Sequence, residues 1–418
     1  MTVPDSNVPD VQRETRVSRL DGGLRVATQH DPTARTVAVG AWVGVGNRDE
    51  SPEIAGASHF IEHLLFKGSS TRTSRQIAEG IDAVGGDLNA YTSKEYTAFH
   101  ARTPAWELDF GLDTLLDVIA DPGFSDAEVD AERHVILEEL AWSADTPDDV
   151  VHQNLSLGLF PDHPLGWEVL GSAESVRSIT ADDIRAFHDR WYRRANLVVA
   201  VVGDVDHDEI VARVDAGLAG LEPGEAPTRT APTQPVIPET VTERDIEQSH
   251  VTYGWRAVDQ FDDDRFALAI ANQMIGGGWS SRLFQEVREK RGMAYTVFSA
   301  MGSYVDSGTY SIYAGTSPDR VAELDEIVER ELADLVENGP SEREMDVARG
   351  GFEGGTVLAL EDAGSRMTQI ATNLLVRDRV VLIPEYLEKV RAVTAEDVQR
   401  VITKVVCGPQ VRSIVQPA

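Results

Sequence analysis

The run His59-Phe-Ile-Glu62-His63 holds the residue types that metal-assisted hydrolysis needs. On a helix, residues four apart lie about 40° from each other around the axis and one turn apart along it, so both imidazoles can reach one ion. Glu62 follows His59 by three residues and precedes His63 by one, so it flanks the same face. The set is two neutral nitrogen ligands with a carboxylate beside a metal-activated water. The order H-x-x-E-H reverses the commoner H-E-x-x-H of zinc peptidases. In a chain of 418 residues with 10 His, chance gives on the order of 0.02 such matches.

A catalytic zinc takes a third protein ligand and keeps a position open. Glu132-Arg-His-Val-Ile-Leu-Glu138-Glu139 can supply it, 76 residues beyond His63 (139 − 63). Val129, Ile136 and Leu140 recur at helical spacing, which predicts an amphipathic helix. Glu132 and Glu139 then share one side of it, two turns apart, so that one can bind metal and the other orient a ligand from behind. Spacing alone does not separate Glu139 from Glu138, and Glu-rich helices are often only solvated faces.

With these residues in hand, the sequence resembles the pitrilysin and insulin-degrading-enzyme family of zinc peptidases. Within it, the sequence is similar to bacterial relatives of the mitochondrial processing peptidase β-subunit. The resemblance rests on His59-Phe-Ile-Glu62-His63-Leu-Leu-Phe-Lys-Gly68 and on the Glu132–Glu139 helix, and runs from about Val17 to about Val415. It implies one zinc per chain held by His59, His63 and Glu139, with Glu132 behind them and Glu62 as the base that activates water. It implies that Asn89 and Ala90 line the active site on an edge strand to which substrate adds, a mode that gives affinity with little sequence demand. It also implies that Arg288 and Tyr295, seven residues apart, reach from the second half of the chain to the substrate. There Tyr295 would donate to the developing oxyanion and Arg288 would hold substrate carbonyls. Trp279 stands where the family usually has a smaller apolar residue.

The implied fold is α+β, with two homologous halves, each a mostly antiparallel sheet covered by helices, closing as a clamshell. The implied activity is a zinc-dependent endopeptidase acting on extended peptides or unfolded, signal-like segments. A non-catalytic, processing-peptidase-like scaffold or partner subunit is the alternative. The presence of all three ligands argues against it. A metal-dependent hydrolase of non-peptide substrates is the other open class. A homodimer is expected.

The elements that must position these residues are readable in outline. Leu20-Asp-Gly-Gly-Leu24 predicts a hairpin turn, Thr36–Gly44 a strand, and Asn47–Ser58 a polar loop leading into the metal helix. Ser74–Val84 predicts a helix closed by Gly85-Gly86, and Asp87–Ala101 two strand segments about a turn. Pro104–Ala120 and Ser125–Ala144 read as helices, and Leu197–Gly203 as an apolar strand. Five prolines between Leu221 and Val241 mark a semi-rigid linker. The division is thus 1–222 as the zinc-binding half, 223–242 as linker and 243–418 as the half without metal. All ligands lie in residues 1–222, so that fragment alone is expected to bind zinc. Thr180-Ala-Asp-Asp-Ile184 is echoed by Thr394-Ala-Glu-Asp-Val398, an offset of 214 (394 − 180). This offset places Gln273–Gly277, which has no metal ligand, opposite the zinc motif. Gly276-Gly-Gly-Trp-Ser lacks the G-K-[ST] of a phosphate loop and is not read as one.

Composition excludes several classes. The net charge of −32 repels a phosphate backbone, so nucleic acid is not a partner. It serves solubility, or attracts cationic peptides. One cysteine, Cys407, allows no internal disulfide and suits a reducing compartment. No secretory signal or membrane-spanning run is read, so a cytoplasmic protein with no membrane partner is expected.

Overall fold

The computed structural model describes residues 14–418. The first sheet contains β1 (Thr15–Arg19), β2 (Arg25–His30), β3 (Thr36–Val43), β4 (Asp87–Thr92), β5 (Thr97–Pro104) and β6 (Leu197–Gly203), in the order β1-β2-β6-β3-β5-β4. The second contains β7 (Glu239–Arg244), β8 (Ser249–Ala257), β9 (Ala294–Ser303), β10 (Gly308–Thr316) and β11 (Gln410–Pro417), in the order β7-β11-β8-β10-β9. Each has one parallel pair, β2 with β6 and β7 with β11, and is otherwise antiparallel. Apart from β1, the two orders are identical when β2 is matched to β7 and each following strand to its counterpart. Arg25 and Glu239, which open the matched strands, stand 214 apart (239 − 25). β7 begins inside the stretch read as linker. The rest of that stretch is pinned: the Ile237 N–H donates to Gly158 and Arg229 is ion-paired with Asp49.

The helices of the first half are α1 (Ala57–Leu65), α2 (Ser74–Val84), α3 (Leu108–Ala120), α4 (Asp126–Asp145), α5 (Pro147–Leu159), α6 (Ala173–Ser178), α7 (Ala181–Trp191) and α8 (His207–Gly217). Those of the second are α9 (Asp264–Ile275), α10 (Val321–Asn338), α11 (Glu342–Ala359), α12 (Ala363–Arg377), α13 (Ile383–Ala392) and α14 (Ala395–Val406). Thr180 and Thr394 each cap their helix by accepting from the N–H three residues on, and Asp183 and Asp397 reach back to complete the box. The sequence echo is therefore a repeated helix start.

Strand alternation explains the layers. In β3, Val37, Val39, Ala41 and Val43 point into a core shared with α1, α3 and α7, while Ala38 and Trp42 point the other way. In β6, Leu197, Val199 and Val201 take the first face, and Val198, Ala200 and Val202 the second. A strand that is apolar on both faces needs cover on both. The second cover comes from the far half: α12 lays Met367, Ile370, Ala371 and Leu374 over Trp42 and its neighbours. The exchange is mutual, because α5 of the first half packs on β8 and β11 of the second sheet. Both crossings rest on a glycine. A Cβ on Gly40 would meet the Trp42 ring at 2.4 Å and the Met367 sulfur at 3.1 Å, and one on Gly254 would meet Leu155 of α5 at 2.7 Å. Those glycines too are 214 apart (254 − 40). A fragment ending at residue 222 would leave one face of its sheet bare.

Candidate metal centre

The polar loop before α1, Asn47–Ser58, is turned partly inward. Asn47, Arg48, Glu50 and Ser58 are buried. Glu50 accepts hydrogen bonds from the N–H groups of Gly56 (2.6 Å) and Ser58 (2.7 Å), satisfying the free donors at the start of α1 from inside the protein. Burial raises its pKa to about 7, against the pull of those two donors. Gly56 has φ +97, and a Cβ there would meet the Leu170 carbonyl at 2.6 Å, so the turn into α1 requires glycine. Phe60, Ile61, Leu64 and Leu65 then fill the core and leave His59, Glu62 and His63 on the side facing α4 and β4.

On α4, Val129 and Ile136 anchor one face in the core, and Glu132 and Glu139 approach α1. The Nε2 atoms of His59 and His63 lie 3.7 and 3.5 Å from one Glu139 oxygen. These distances are too long for hydrogen bonds. They suit a shared ion, since donors at about 2.05 Å around a tetrahedral zinc stand about 3.3 Å apart. One ligand atom from each of the three residues falls within 4.8 Å of the others, the one such group of His, Cys and carboxylate ligands among the described residues. Burial and the neighbouring His63 lower the His59 pKa to about 4, which keeps the imidazole neutral, as a metal ligand must be. Glu132 lies 3.2 Å from His63 Nδ1 and accepts from it, leaving Nε2 free to ligate. Lys67 holds the other Glu132 oxygen at 2.6 Å. His59 Nδ1 is buried with no hydrogen-bonding partner among the described residues. The donor set therefore fits zinc.

Glu62 lies beside the cluster. Burial raises its pKa, and donation from Thr92 and the nearby His63 oppose the rise. The Thr92 hydroxyl donates to Glu62 Oε2 at 2.6 Å. β4, which ends at Thr92, is an edge strand. Its alternation separates the two residues expected to touch substrate. Leu88 and Ala90 pack toward the metal-helix side, while Asn89 lies on the opposite face with Tyr91. The Asn89 side-chain oxygen folds back to accept from the Ala90 N–H at 2.8 Å.

Arg288 and Tyr295 come together with each other but not with the metal cluster. Arg288 sits in a π-helical turn, Phe284–Glu289, and lies over the rings of both Phe284 and Tyr295, 4.8 Å from each centroid. Tyr295 is 81% exposed and Trp279 82%. No hydrogen bond, ion pair or ring contact links them to His59, His63 or Glu139 among the described residues. The site residues that sequence reasoning missed are Glu50, Lys67 and Thr92. Lys67 and Thr92 lie in stretches already singled out. The period-two alternation from Ala90 to Thr92 was the signal that Thr92 shares the metal-side face.

The family model described as insulinase, peptidase family M16, matches residues 25–173, and the model described as the peptidase M16 inactive domain matches residues 178–352. The second description agrees with the absence, among the described residues, of a metal-ligand group in the second half. A protein called an uncharacterized zinc protease in Mycobacterium leprae is 42% identical over 386 residues, covering 91% of this chain and 86% of that one. One so called in Bacillus subtilis is 33% identical over 396 residues, covering 95% and 97%. Among solved structures, a protease from Helicobacter pylori superposes with a TM-score of 0.89 at 22% identity, over 97% of this chain and 100% of that one. A putative M16-like peptidase from Alicyclobacillus acidocaldarius gives 0.86 at 22%, over 97% and 98%. These likenesses establish two sheets covered by helices as the shared fold. Among the described residues, no helix is long and apolar enough to cross a membrane.

Proposed function

Since the chain belongs to the insulinase family of peptidases, family M16, we propose that it is a zinc-dependent endopeptidase acting on extended peptides. The observation that carries the reading is the spacing of His59, His63 and Glu139, too wide for hydrogen bonds and right for one tetrahedral ion. Zinc bound there would polarise the scissile carbonyl and make water acidic enough to deprotonate near neutral pH. Glu62 takes the proton of the attacking water and passes it to the leaving amine. Glu132 fixes the ring of His63. An extended segment adds to the open edge of β4, and its carbonyl displaces the Asn89 oxygen from the Ala90 N–H. Only unfolded segments can pair in this way, so folded proteins are poor substrates.

Glu62→Gln should retain zinc and lose activity by about 10²–10⁴, the usual worth of a general base. Glu139→Gln should lose zinc. Equal zinc loss in both variants would refute the division of roles.

The chain works as a homodimer in this reading. Among the described residues, Arg288 and Tyr295 make no hydrogen bond, ion pair or ring contact with His59, His63 or Glu139, and the helix exchange ties the two halves together. A second copy can bring these exposed side chains to the site. Mixing inactive Glu62→Gln chains with Tyr295→Phe chains should then restore activity through the mixed dimer. A monomer that is fully active would overturn this part.

A further inference from the structure

Glu62 has a single hydrogen-bonding partner among the described residues, Thr92, which donates at 2.6 Å to one carboxylate oxygen. Thr92 is also the last residue of the strand whose edge is open, and it pairs with Thr97 across the following turn. That turn is fixed unusually firmly. The half-buried Lys94 ammonium donates to the Trp167 carbonyl, and the Lys94 carbonyl accepts from the Arg48 N–H at 2.9 Å. Glu95 is 8% exposed. It is paired with the Arg48 guanidinium at 2.5 Å and accepts from the Val305 N–H of the second half. Arg48 also binds Asp306 at 2.7 Å, and Arg229 of the linker binds Asp49 at 2.7 Å. A strand end held this way cannot drift, so its hydroxyl is a fixed point for the carboxylate it touches.

We propose that Thr92 is a positioning residue: its hydroxyl holds one oxygen of Glu62, aims the other at the reacting water, and ties the base to the strand on which the peptide is laid. The inference rests on the reading of Glu62 as the base. A carboxylate hinged on three torsions and held at one oxygen has its free oxygen directed. Without the hydroxyl it samples other rotamers, and proton transfer is lost in proportion to the time spent away. Because the peptide pairs with the main chain of β4 and not with this hydroxyl, the effect falls on kcat and leaves KM alone.

The test uses the zinc-loaded full chain with a fluorogenic peptide, comparing Thr92→Val, which keeps the β-branched shape, with Thr92→Ser, which keeps the hydroxyl. Thr92→Val should retain zinc and KM and lose kcat by roughly 10–100-fold, the usual worth of a hydrogen bond to a charged group. Thr92→Ser should stay within a few-fold of wild type. In a Glu62→Gln background, Thr92→Val should cost nothing further. Equal loss in the Val and Ser variants, or an undiminished loss in the Glu62→Gln background, would assign Thr92 to packing and overturn the proposal. A crystal structure of Thr92→Val supplies a readout without turnover: Glu62 should leave its position while His59, His63 and Glu139 hold theirs. An unmoved Glu62 also overturns it. If Glu62→Gln alone proves fully active, the parent reading of the base has failed instead, and the crystallographic result still decides whether Thr92 holds Glu62.

Discussion

Removing everything after residue 222 should unfold the half that contains every zinc ligand. The cut takes away α12, whose Met367, Ile370 and Leu374 are 1%, 4% and 1% exposed in the whole chain. Burying an aliphatic side chain stabilises by about 1.5–3 kcal/mol, so these three side chains account for roughly 5–9 kcal/mol, an upper estimate. A whole domain has about 5–15 kcal/mol to lose. The same cut exposes Trp42, Val198 and Val202 and removes the buried ion pair between Arg366 and Asp31 (3.1 Å). Expressed alone, residues 1–222 should bind the dye ANS, show weak near-UV circular dichroism and melt in urea without a sharp transition. Zinc should bind far more weakly than to the whole chain, because the ligands are no longer pre-organised. Appending residues 363–377 through a flexible linker should restore cooperativity. A cooperative melt of the bare fragment, at the urea midpoint of the whole chain, would refute the claim that the exchanged helix is part of the first half's core.

Glu50 gives a prediction in pH. Its folded pKa of about 7 lies above the ordinary carboxylate value, so the native state holds an extra proton between about pH 4.5 and 7. Its contribution is favourable below that window and is lost as pH rises through it. Urea melts should therefore show Glu50→Gln gaining about 3 kcal/mol relative to wild type from pH 4 to pH 8. A constant difference across that range would deny Glu50 its buried charge. Arg48→Met should cost about 3–5 kcal/mol by equilibrium denaturation, since it leaves Glu95 and Asp306 without their shared cation. A loss below 1 kcal/mol would mean the cluster is solvated. Gly56→Ala should cost about 1–3 kcal/mol and weaken zinc binding measured by calorimetry, because the turn into α1 has φ +97 and no room for a methyl group. Unchanged zinc affinity would separate that turn from the metal site.

His59, Glu62 and His63 stood out as a candidate site because their chemistry is local, whereas Glu139 was separated from Glu138 only through family resemblance. Two histidines and a glutamate within five positions of one helix need no tertiary information. The repeated start at Thr180 and Thr394 was likewise a matter of cap residues a fixed distance apart. Glu50 was not readable for the opposite reason. A stretch of Asn, Arg, Asp, Glu and Ser reads as solvated, and only the folded chain shows it turned inward to meet the bare N–H groups of a helix. Which sheet α5 and α12 would cover could not be told from the sequence of either helix. The sequence did contain the demand, since Leu197–Gly203 is apolar at every position before its glycine and so needed a layer on each side. Arg288 and Tyr295 could be picked out only through family resemblance. Their mutual stacking is a fact of the π-helical turn that no spacing rule announces.

The helix exchange also sets a timetable for the ribosome. The first sheet is complete as a sequence at Gly203, but the helix that covers its far face begins at Ala363, 160 residues later (363 − 203). At about 5–20 residues per second, the Trp42 face waits on the order of ten seconds for its cover. During that interval the nascent chain leaves the apolar residues of that face, Trp42, Val198, Val202 and four alanines, open to whatever is nearby. The reciprocal helix, α5, is made before the sheet it will cover exists. The two halves therefore mature together at the end of synthesis, and chaperone dependence should be concentrated in chains paused between these two points.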